Sequence, residues 1–548
     1  MRTISTLRWV WRAVKGSRQA ILLKALVGTA YVSASLLFVW VSKQLVDSVT
    51  VETTDSIAWP IALLIGSLIL QLVLAVVENR LGNLNVARLK NRLRQQLFTT
   101  VLTSRWDGRE RLHTGDVMNR LEEDVRLTTE ALCKNLPDAF VTGIQLVSAS
   151  TFLLLLDQRL AVLLPIIMLI ALVASKRYLR RTRRLTHDIR SSESEIQSLM
   201  QENLQHRVLV RTLERTDNVI NRLADKQGEL LGHVTRRTDY TLFSNTVVQA
   251  GFAAGYATAF LWGIFGLRSG AVTFGMLTAF LQLVAQVQRP IVDLARQIPV
   301  FVQALASIER LEQIDRLQPE SEADDSPVLL EGAVGIRLEA VDFTYPDSDH
   351  PITRGFSHDF HPGSLTAIVG ETGAGKSTLI RLMLALLSPD QGNITVYNAT
   401  RSLPASPQTR CNIIYVPQGN TLMSGTIRDN LLMGDPEADD HRLAEALHAA
   451  AADFVWQLPD HLDTLCGERG AGLSEGQAQR IAIARGLLRP GGLLLLDEPT
   501  SSLDSETERT LISRLKAFAT GKTIIIVTHR PSMIDDHDHS IRITRPQA

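Results

Sequence analysis

The chain changes character near residue 315. Before that point apolar residues come in long uninterrupted runs; beyond it they come in short aliphatic stretches broken by glycine loops and polar turns. A bilayer core takes about 20 apolar residues per helix. Six segments reach that length, around 21–46, 57–78, 137–156, 159–179, 243–267 and 272–293. The third and fourth are separated only by the DQR turn at 157–159 and predict a helical hairpin. A buried helix of a soluble core is the other reading of any one such run, but six in one half of a chain point to a polytopic helical membrane domain.

Charge gives that domain an orientation. Residues 79–136 and the stretch between the fourth and fifth runs read as helices that continue well beyond the membrane. Basic residues crowd their span ends: Arg80, Arg88, Lys90, Arg92 and Arg94, then Lys176, Arg177, Arg180, Arg181, Arg183 and Arg184. The opposite loops hold few, so the positive-inside bias places both excursions, the N-terminus and the C-terminal half on the cytoplasmic side. That fits an inner (plasma) membrane protein with an even number of spans. The first 20 residues, MRTISTLRWVWRAVKGSRQA, carry Leu7, Val10, Trp11 and Val14 at helical spacing with Trp9 beside them. They predict an interfacial helix on the membrane surface. A cleaved signal peptide fits less well, because the apolar run Ile21–Val46 is too long and lacks a small-residue cleavage site.

Within the spans, GFAAG (Gly251, Gly255) has the small-residue spacing that lets helices approach, either within one subunit or between two. Gln282, Gln286 and Gln288, followed by Arg289 and Asp293, place polar groups at membrane depth and are candidate lumen residues. The acidic RLQPESEADDSPVLLEG (316–332) reads as a linker between a membrane domain at 1–315 and a soluble α/β domain at 333–548. The formal net charge is zero, which argues against nucleic acid as a partner. Three cysteines without ligand-like spacing argue against a disulfide framework or a zinc site.

The soluble half carries the chemistry. In LTAIVGETGAGKSTLIRLML, a strand meets a glycine loop that opens a helix, giving G-x-x-x-x-G-K-S with Gly370, Gly375, Lys376 and Ser377. Such a loop turns backbone N–H groups onto phosphate oxygens, the lysine reaches the terminal phosphates and the serine hydroxyl ligates Mg²⁺. Thr372, Gly373, Ala374 and Thr378 complete this candidate ATP cradle. The run GLLLLDEPT reads as a buried strand ending in Asp497 and Glu498. A carboxylate buried there needs a counter-charge, which a Mg²⁺ shell at Asp497 would supply, and Glu498 would sit where a water could be aimed at the γ-phosphate. A helix-capping pair is the alternative for these two alone. TIIIVTH ends a third aliphatic strand in His529, at the edge where open α/β sheets bind ligands. Together the three elements predict an ATP-hydrolysing P-loop domain.

In order and spacing these motifs resemble those of the ATP-binding cassette (ABC) transporters, specifically exporter-type half-transporters, over nearly the whole chain. VDFTYP supplies Tyr345, which matches the aromatic residue stacked on adenine. YVPQ supplies Gln418, matching the Q-loop glutamine that contacts Mg²⁺ and couples to the membrane domain, and SGTIRDNL (424–431) after it is typical. CGERG (466–470) resembles the segment that touches the intracellular loops, and HTGDVMNRLEEDV (113–125) and ENLQHRVLVRTL (202–213) resemble those loops. LSEGQ (473–477) looks like the signature motif, with Ser474, Gly476 and Gln477 as nucleotide contacts. SSLD (501–504) looks like the D-loop, ending in Asp504, and His529 looks like the switch histidine.

The resemblance implies that two cassettes sandwich two nucleotides, so that the signature helix of one subunit addresses the ATP held by the other. The partner is then a second copy or a related half-transporter, and Glu498, His529 and Gln418 are the expected catalytic set. Glu475 replaces the first glycine of the usual LSGGQ, and it is expected to point away from phosphate and stabilise the helix start. Two departures from the family's pattern also bear on expectation: only 19 residues follow His529, which predicts an abbreviated end to the cassette, and no peptidase-like domain precedes the first span, which argues against leader-peptide cleavage. Cargo is expected to be amphiphilic or hydrophobic, a lipid, a drug or a peptide. An exporter-fold importer, a gated channel and a non-transporting membrane ABC ATPase are the rival readings.

Overall fold

The computed structural model describes the chain except residues 1, 51–56, 107–113, 321–325, 347, 349, 372, 468–471, 530–538 and 544–548; the side chains of residues 2–5, 7, 114 and 176–183 also lie outside the description. The chain divides into two units: residues 1–99 with 114–316, and residues 100–113 with 317–548.

The first unit is helical: α1 (Arg2–Ala13), α2 (Arg18–Thr50), α3 (Ala58–Thr103), α4 (Thr114–Asn119), α5 (Val125–Glu130), α6 (Leu136–Leu156), α7 (Gln158–Gln205), α8 (Arg207–Thr212), α9 (Thr216–Arg268) and α10 (Phe274–Asp315). Two π-helical turns, Arg120–Asp124 and Ala131–Asn135, join α4, α5 and α6. Among the described residues six helical stretches are long and apolar enough to cross a membrane, and each overlaps one of the predicted runs. Their apolar windows bury at most 33% of their residues inside the protein. Outward-facing apolar side chains suit helices whose solvent is hydrocarbon.

The hairpin turn is fixed by Asp157. Its carboxylate accepts from the backbone of Arg159 and Leu160 at 2.9 and 3.1 Å, capping α7, and Trp262 Nε1 of α9 donates to its other oxygen at 2.8 Å. Phe280, Leu283 and Val287 of α10 pack with Val39, Leu153, Leu160, Leu164 and Ala259 to form the helical core. The three glutamines expected in a lumen make helix-to-helix contacts instead. Gln282 and Gln286 donate to the hydroxyls of Ser42 and Ser35 on α2 at 3.2 and 3.0 Å. Gln288 is fully buried in the notch left by Gly255, where a Cβ would fall 1.8 Å from its Nε2. Gly251 gives the same room to Ala171. GFAAG therefore packs within the chain, with the absent side chain of Gly255 admitting a neighbour's amide.

At the N-terminus Trp9 of α1 and Val14 just after it are buried against the protein, while Trp11 is exposed. Trp9 Nε1 donates to Asp315 at the end of α10 at 3.0 Å, a hydrogen bond that apolar spacing does not register.

The second unit is built on a parallel sheet in the order β11-β3-β10-β9-β6, a four-stranded antiparallel sheet β2-β1-β4-β5 and a small pair β7-β8. Its elements run β1 (Gly335–Phe343), β2 (Thr353–Phe360), β3 (Leu365–Gly370), α11 (Lys376–Met383), β4 (Gln391–Tyr397), β5 (Ser402–Pro404) and β6 (Ile413–Val416). They continue with β7 (Gly425–Thr426), α12 (Ile427–Leu432), α13 (Asp440–Ala449), β8 (Leu465–Cys466), α14 (Glu475–Leu487), β9 (Leu493–Asp497), α15 (Ser505–Phe518), β10 (Thr523–Thr528) and β11 (His539–Ile543). The two all-aliphatic runs are the central strands, and alternation divides their side chains between two cores. Leu494, Leu496, Ile524 and Ile526 pack with α14 residues such as Ala478 and Ile481. Leu493, Leu495, Ile525 and Val527 pack with Leu379 and Met383 of α11 and with Ile336 and Val396 of the antiparallel sheet. Part of the linker lies on this unit: Arg410 grips Glu320 with two hydrogen bonds of 3.0 and 2.8 Å, and Leu330 N donates to buried Asn412 at 2.6 Å.

Candidate functional site

Strand register brings the candidate residues to one edge. Val369 of β3 lies beside Thr528 of β10, and Val527 lies beside Asp497 of β9, so the three strands end together where open parallel sheets take ligands. The loop from β3 into α11 needs its glycines. Gly373 and Gly375 have φ of +82° and +98°, and a Cβ on Gly375 would lie 2.7 Å from the Ile352 side chain. Gly370 has a second reason, since a Cβ there would meet the carbonyl of Ile543 on β11 at 2.7 Å. Ala374 is buried under the loop, and Thr372 lies outside the described residues.

Lys376 folds back over this loop. Its Nζ donates to the carbonyls of Gly370 and Glu371 at 2.7 and 3.2 Å and lies 3.3 Å from His529 Nε2. Burial lowers its pKa, opposed by the negative charges of Glu498 and Asp497. Asp497 is pushed up to about 6, first by burial and then by the adjacent Glu498 carboxylate. Glu498 is held from both sides: Gln418 Nε2 donates to one carboxylate oxygen at 2.7 Å, and His529 Nε2 lies 2.6 Å from the other. Its backbone sits at φ +48°, a left-handed conformation that costs a non-glycine residue about 1–2 kcal/mol. The neighbours fix that geometry, with Glu498 N donating to Val527 O at 2.9 Å and its carbonyl accepting from Gln479 Nε2 at 2.7 Å.

These groups, with Ser377, Thr378 and Ile352, line an open cleft of about 450 Å³, a size suited to a small ligand. Two carboxylates share it with one lysine. That surplus negative charge, next to the hydroxyl of Ser377 and the amide of Gln418, is a donor set suited to a hard divalent cation such as Mg²⁺. Among the described residues no cluster of three or more His, Cys, Asp or Glu side chains forms a metal site by itself, so phosphate and water would supply the remaining ligands.

Tyr345 stands beside the cleft, its ring edge-on to Phe343 and its hydroxyl 3.2 Å from Thr378 Oγ1 and 3.1 Å from the donating Arg381 guanidinium. Arg381 in turn lies 4.7 Å over the ring of Trp106, in the same unit. The signature residues do not line the cleft. Ser474 caps α14 by accepting from Gln477 N at 3.2 Å while Gln477 Oε1 accepts from Ser474 N at 2.9 Å, a reciprocal capping box. Glu475 is exposed in the first turn, where a carboxylate complements the helix dipole. Gly476 lies against SSLD, since a Cβ there would sit 2.8 Å from the Ser502 carbonyl. Asp504 caps α15, accepting from Glu506 and Thr507 N at 3.0 and 2.9 Å, and those bonds lower its pKa. Gln479, Ile352 and Arg381 are the site residues that sequence reasoning passed over. Gln479 is fully buried on an otherwise aliphatic helix face, the one available signal for it.

Comparison with known proteins finds similarity in both units. The ABC transporter family profile matches residues 353–501, and that of the ABC transporter transmembrane region matches residues 21–291. The chain is 31% identical to the ABC multidrug transporter mdr2 of Aspergillus fumigatus over 485 residues, 85% of this chain but only 58% of that protein. It is 26% identical to the ATP-dependent lipid A-core flippase of Chromobacterium violaceum over 487 residues, covering 88% of this chain and 83% of the flippase. A solved structure of a bacterial Atm1-family ABC exporter with ATP bound is similar at a TM-score of 0.78 and 25% identity, across 96% of this chain and 94% of that one.

Proposed function

The chain belongs to the ABC transporters, as an exporter-type half-transporter of that ATP-driven family, and from this premise we propose that it exports an amphiphilic or hydrophobic compound as a dimer that closes on two ATP molecules. The observation that carries the reading is the division of its motifs. Lys376, Ser377, Gln418, Asp497, Glu498 and His529 share one cleft, whereas Ser474, Gly476 and Gln477 lie away from it at the mouth of α14. A nucleotide phosphate in the cleft can meet a signature helix only if another copy supplies it. A second copy of this chain is the simplest partner, because its own carboxylate and histidine are both in place.

In this scheme the phosphates turn Lys376 away from the carbonyls of Gly370 and Glu371, and the glycine loop offers its N–H groups to them. Tyr345 stacks on the adenine. Ser377, Gln418 and Asp497 would hold Mg²⁺, which would supply positive charge to the phosphate oxygens. Glu498 orients the attacking water from a position already fixed by Gln418, His529 and the backbone clamp of Gln479. His529 contacts the γ-phosphate. Closure is passed to the membrane spans by the intracellular loops, α4–α5 and α8, and the cavity between the spans changes sides. The cytoplasmic placement of the N-terminus and cassette rests on the clustering of Arg and Lys near the span ends.

Relatives known as a multidrug transporter, a flippase and an exporter favour outward movement over the importer alternative. The test is Glu498→Gln in reconstituted protein. Turnover is expected to fall by at least about 100-fold, the scale of a lost general base, with ATP binding retained. ATPase at the wild-type rate would overturn the assignment.

A further inference from the structure

Arg381 of α11 stands where the phosphate chemistry has no use for it. Among the described residues it does not line the cleft, and no carboxylate forms an ion pair with it. Its guanidinium serves two aromatic side chains instead. It donates to the Tyr345 hydroxyl at 3.1 Å, and its central carbon lies 4.7 Å over the Trp106 ring. A guanidinium has a flat face for stacking and N–H groups along its edge, so one arginine can engage both rings at once. The Tyr345 hydroxyl also meets Thr378 Oγ1 at 3.2 Å, and the Tyr345 ring stands edge-on to Phe343 with centroids 5.0 Å apart. The tyrosine is therefore fixed at its hydroxyl end by α11 and along its flank by β1.

Trp106 lies just past the end of α3, far in sequence from the cassette motifs, yet it belongs to the second unit. Several contacts hold it there. Its ring packs against the core that contains Leu379 and Met383. The preceding Arg105 donates through its backbone N to Gln318 O at 2.8 Å and through its side chain to Ser388 Oγ at 2.8 Å. Glu320 N donates to Thr103 O at 2.9 Å, and Glu320 is the carboxylate gripped by Arg410. Residues 103–106 and 318–320 thus run side by side, bridged at Ser104 and Pro319, and Trp106 offers Arg381 a fixed face.

We infer that Arg381 is a positioning residue for the nucleotide base: braced by Trp106, it holds the Tyr345 ring in one pose as the stacking platform. The inference rests on the reading that Tyr345 carries the adenine. A ring already fixed before the ligand arrives loses little freedom on binding, so the bracing shows up as affinity for the base. An arginine near a phosphate site also acts by charge, and a ligand without a base separates the two effects.

The test is calorimetric binding to the purified full-length protein of Mg-ATP and of Mg-tripolyphosphate, which has the phosphates but no base. Arg381→Met is expected to weaken ATP by roughly 5–10-fold, the scale of one net hydrogen bond, and tripolyphosphate by less than about twofold. Tyr345→Phe keeps the ring, removes the hydroxyl and is expected to weaken ATP to a similar extent. The double variant should bind no worse than about twofold beyond the weaker single one, because both changes cut the same contact. No loss of ATP affinity, equal losses for both ligands, or losses that multiply in the double variant would each overturn the proposal while leaving Tyr345 on the adenine. A wild type that binds the two ligands alike would overturn the adenine reading and the proposal with it. If Arg381→Met does not fold, Trp106→Leu decides. Outside the cleft as it is, that change is expected to weaken ATP by about two- to threefold, the scale of an exposed cation–π contact, and to leave tripolyphosphate unchanged. Unaltered ATP affinity in that variant would overturn the proposal.

Discussion

The helical unit and the cassette bury charge in opposite ways. In the helical unit Lys24, only 4% exposed, meets Asp138, and buried Asp124 accepts from Ser307 Oγ at 2.9 Å and from Arg310 Nε at 2.7 Å. Both of these buried charges have an answering group, and each pair ties helices together: α2 to α6, and the turn between α4 and α5 to α10. In the cassette Asp497 and Glu498 crowd against one lysine, and Asp497 holds its proton up to about pH 6. Satisfied buried charge marks architecture in this protein. The crowded carboxylate pair beside Lys376 is instead a donor set suited to a cation and a phosphate.

Loss of turnover in Glu498→Gln is the largest expected effect. The next tests the architectural side. Asp124→Ala removes three hydrogen bonds, one from buried Ser307 and two from the Arg310 guanidinium, and is expected to destabilise the helical unit by about 2–3 kcal/mol, moderated because Arg310 can turn to solvent. Thermal unfolding measures it, and ATP affinity should stay within about twofold. A parallel loss of ATP binding would mean that the two kinds of buried charge are not separable.

Asp497→Asn should do the reverse, abolishing ATPase while stabilising the nucleotide-free protein. The raised folded pKa means that ionised Asp497 opposes folding, fully above about pH 6 and not at all below the ordinary aspartate range near 4. The variant should therefore gain about 1–2 kcal/mol at pH 7.5, allowing for the openness of the cleft, and lose that advantage by pH 4. Unfolding at the two pH values measures it, and a variant less stable than wild type at pH 7.5 contradicts the reading. Glu475→Gly has the smallest expected effect. The side chain is exposed, and the cap of α14 is made by Ser474 and Gln477, so ATPase and its KM for ATP should change by less than about threefold. A large gain in affinity would mean that the carboxylate repels phosphate.

The parts readable from sequence were those fixed by local rules. Six spans follow from run length because a bilayer leaves helices little alternative. The phosphate loop follows from Gly373 and Gly375, whose positive φ favours glycine, with Lys376 directly after them. The rest was set by contacts distant along the chain. Which face of α1 turns inward depends on Trp9 finding Asp315, 306 residues away. Whether Gln288 faces a lumen depends on the missing side chain of Gly255, and the pose of Glu498 depends on Gln479 from another helix. Periodicity carries none of these, since each is a single polar contact in an otherwise apolar setting.

The most direct measurement of the central claim is ATPase activity per copy in nanodiscs sorted to hold one or two copies of the chain. If the nucleotide must be gripped by Lys376 of one copy and by the signature helix of another, discs with two copies turn over ATP and discs with one are nearly silent although they bind it. Equal rates per copy in both would contradict the account.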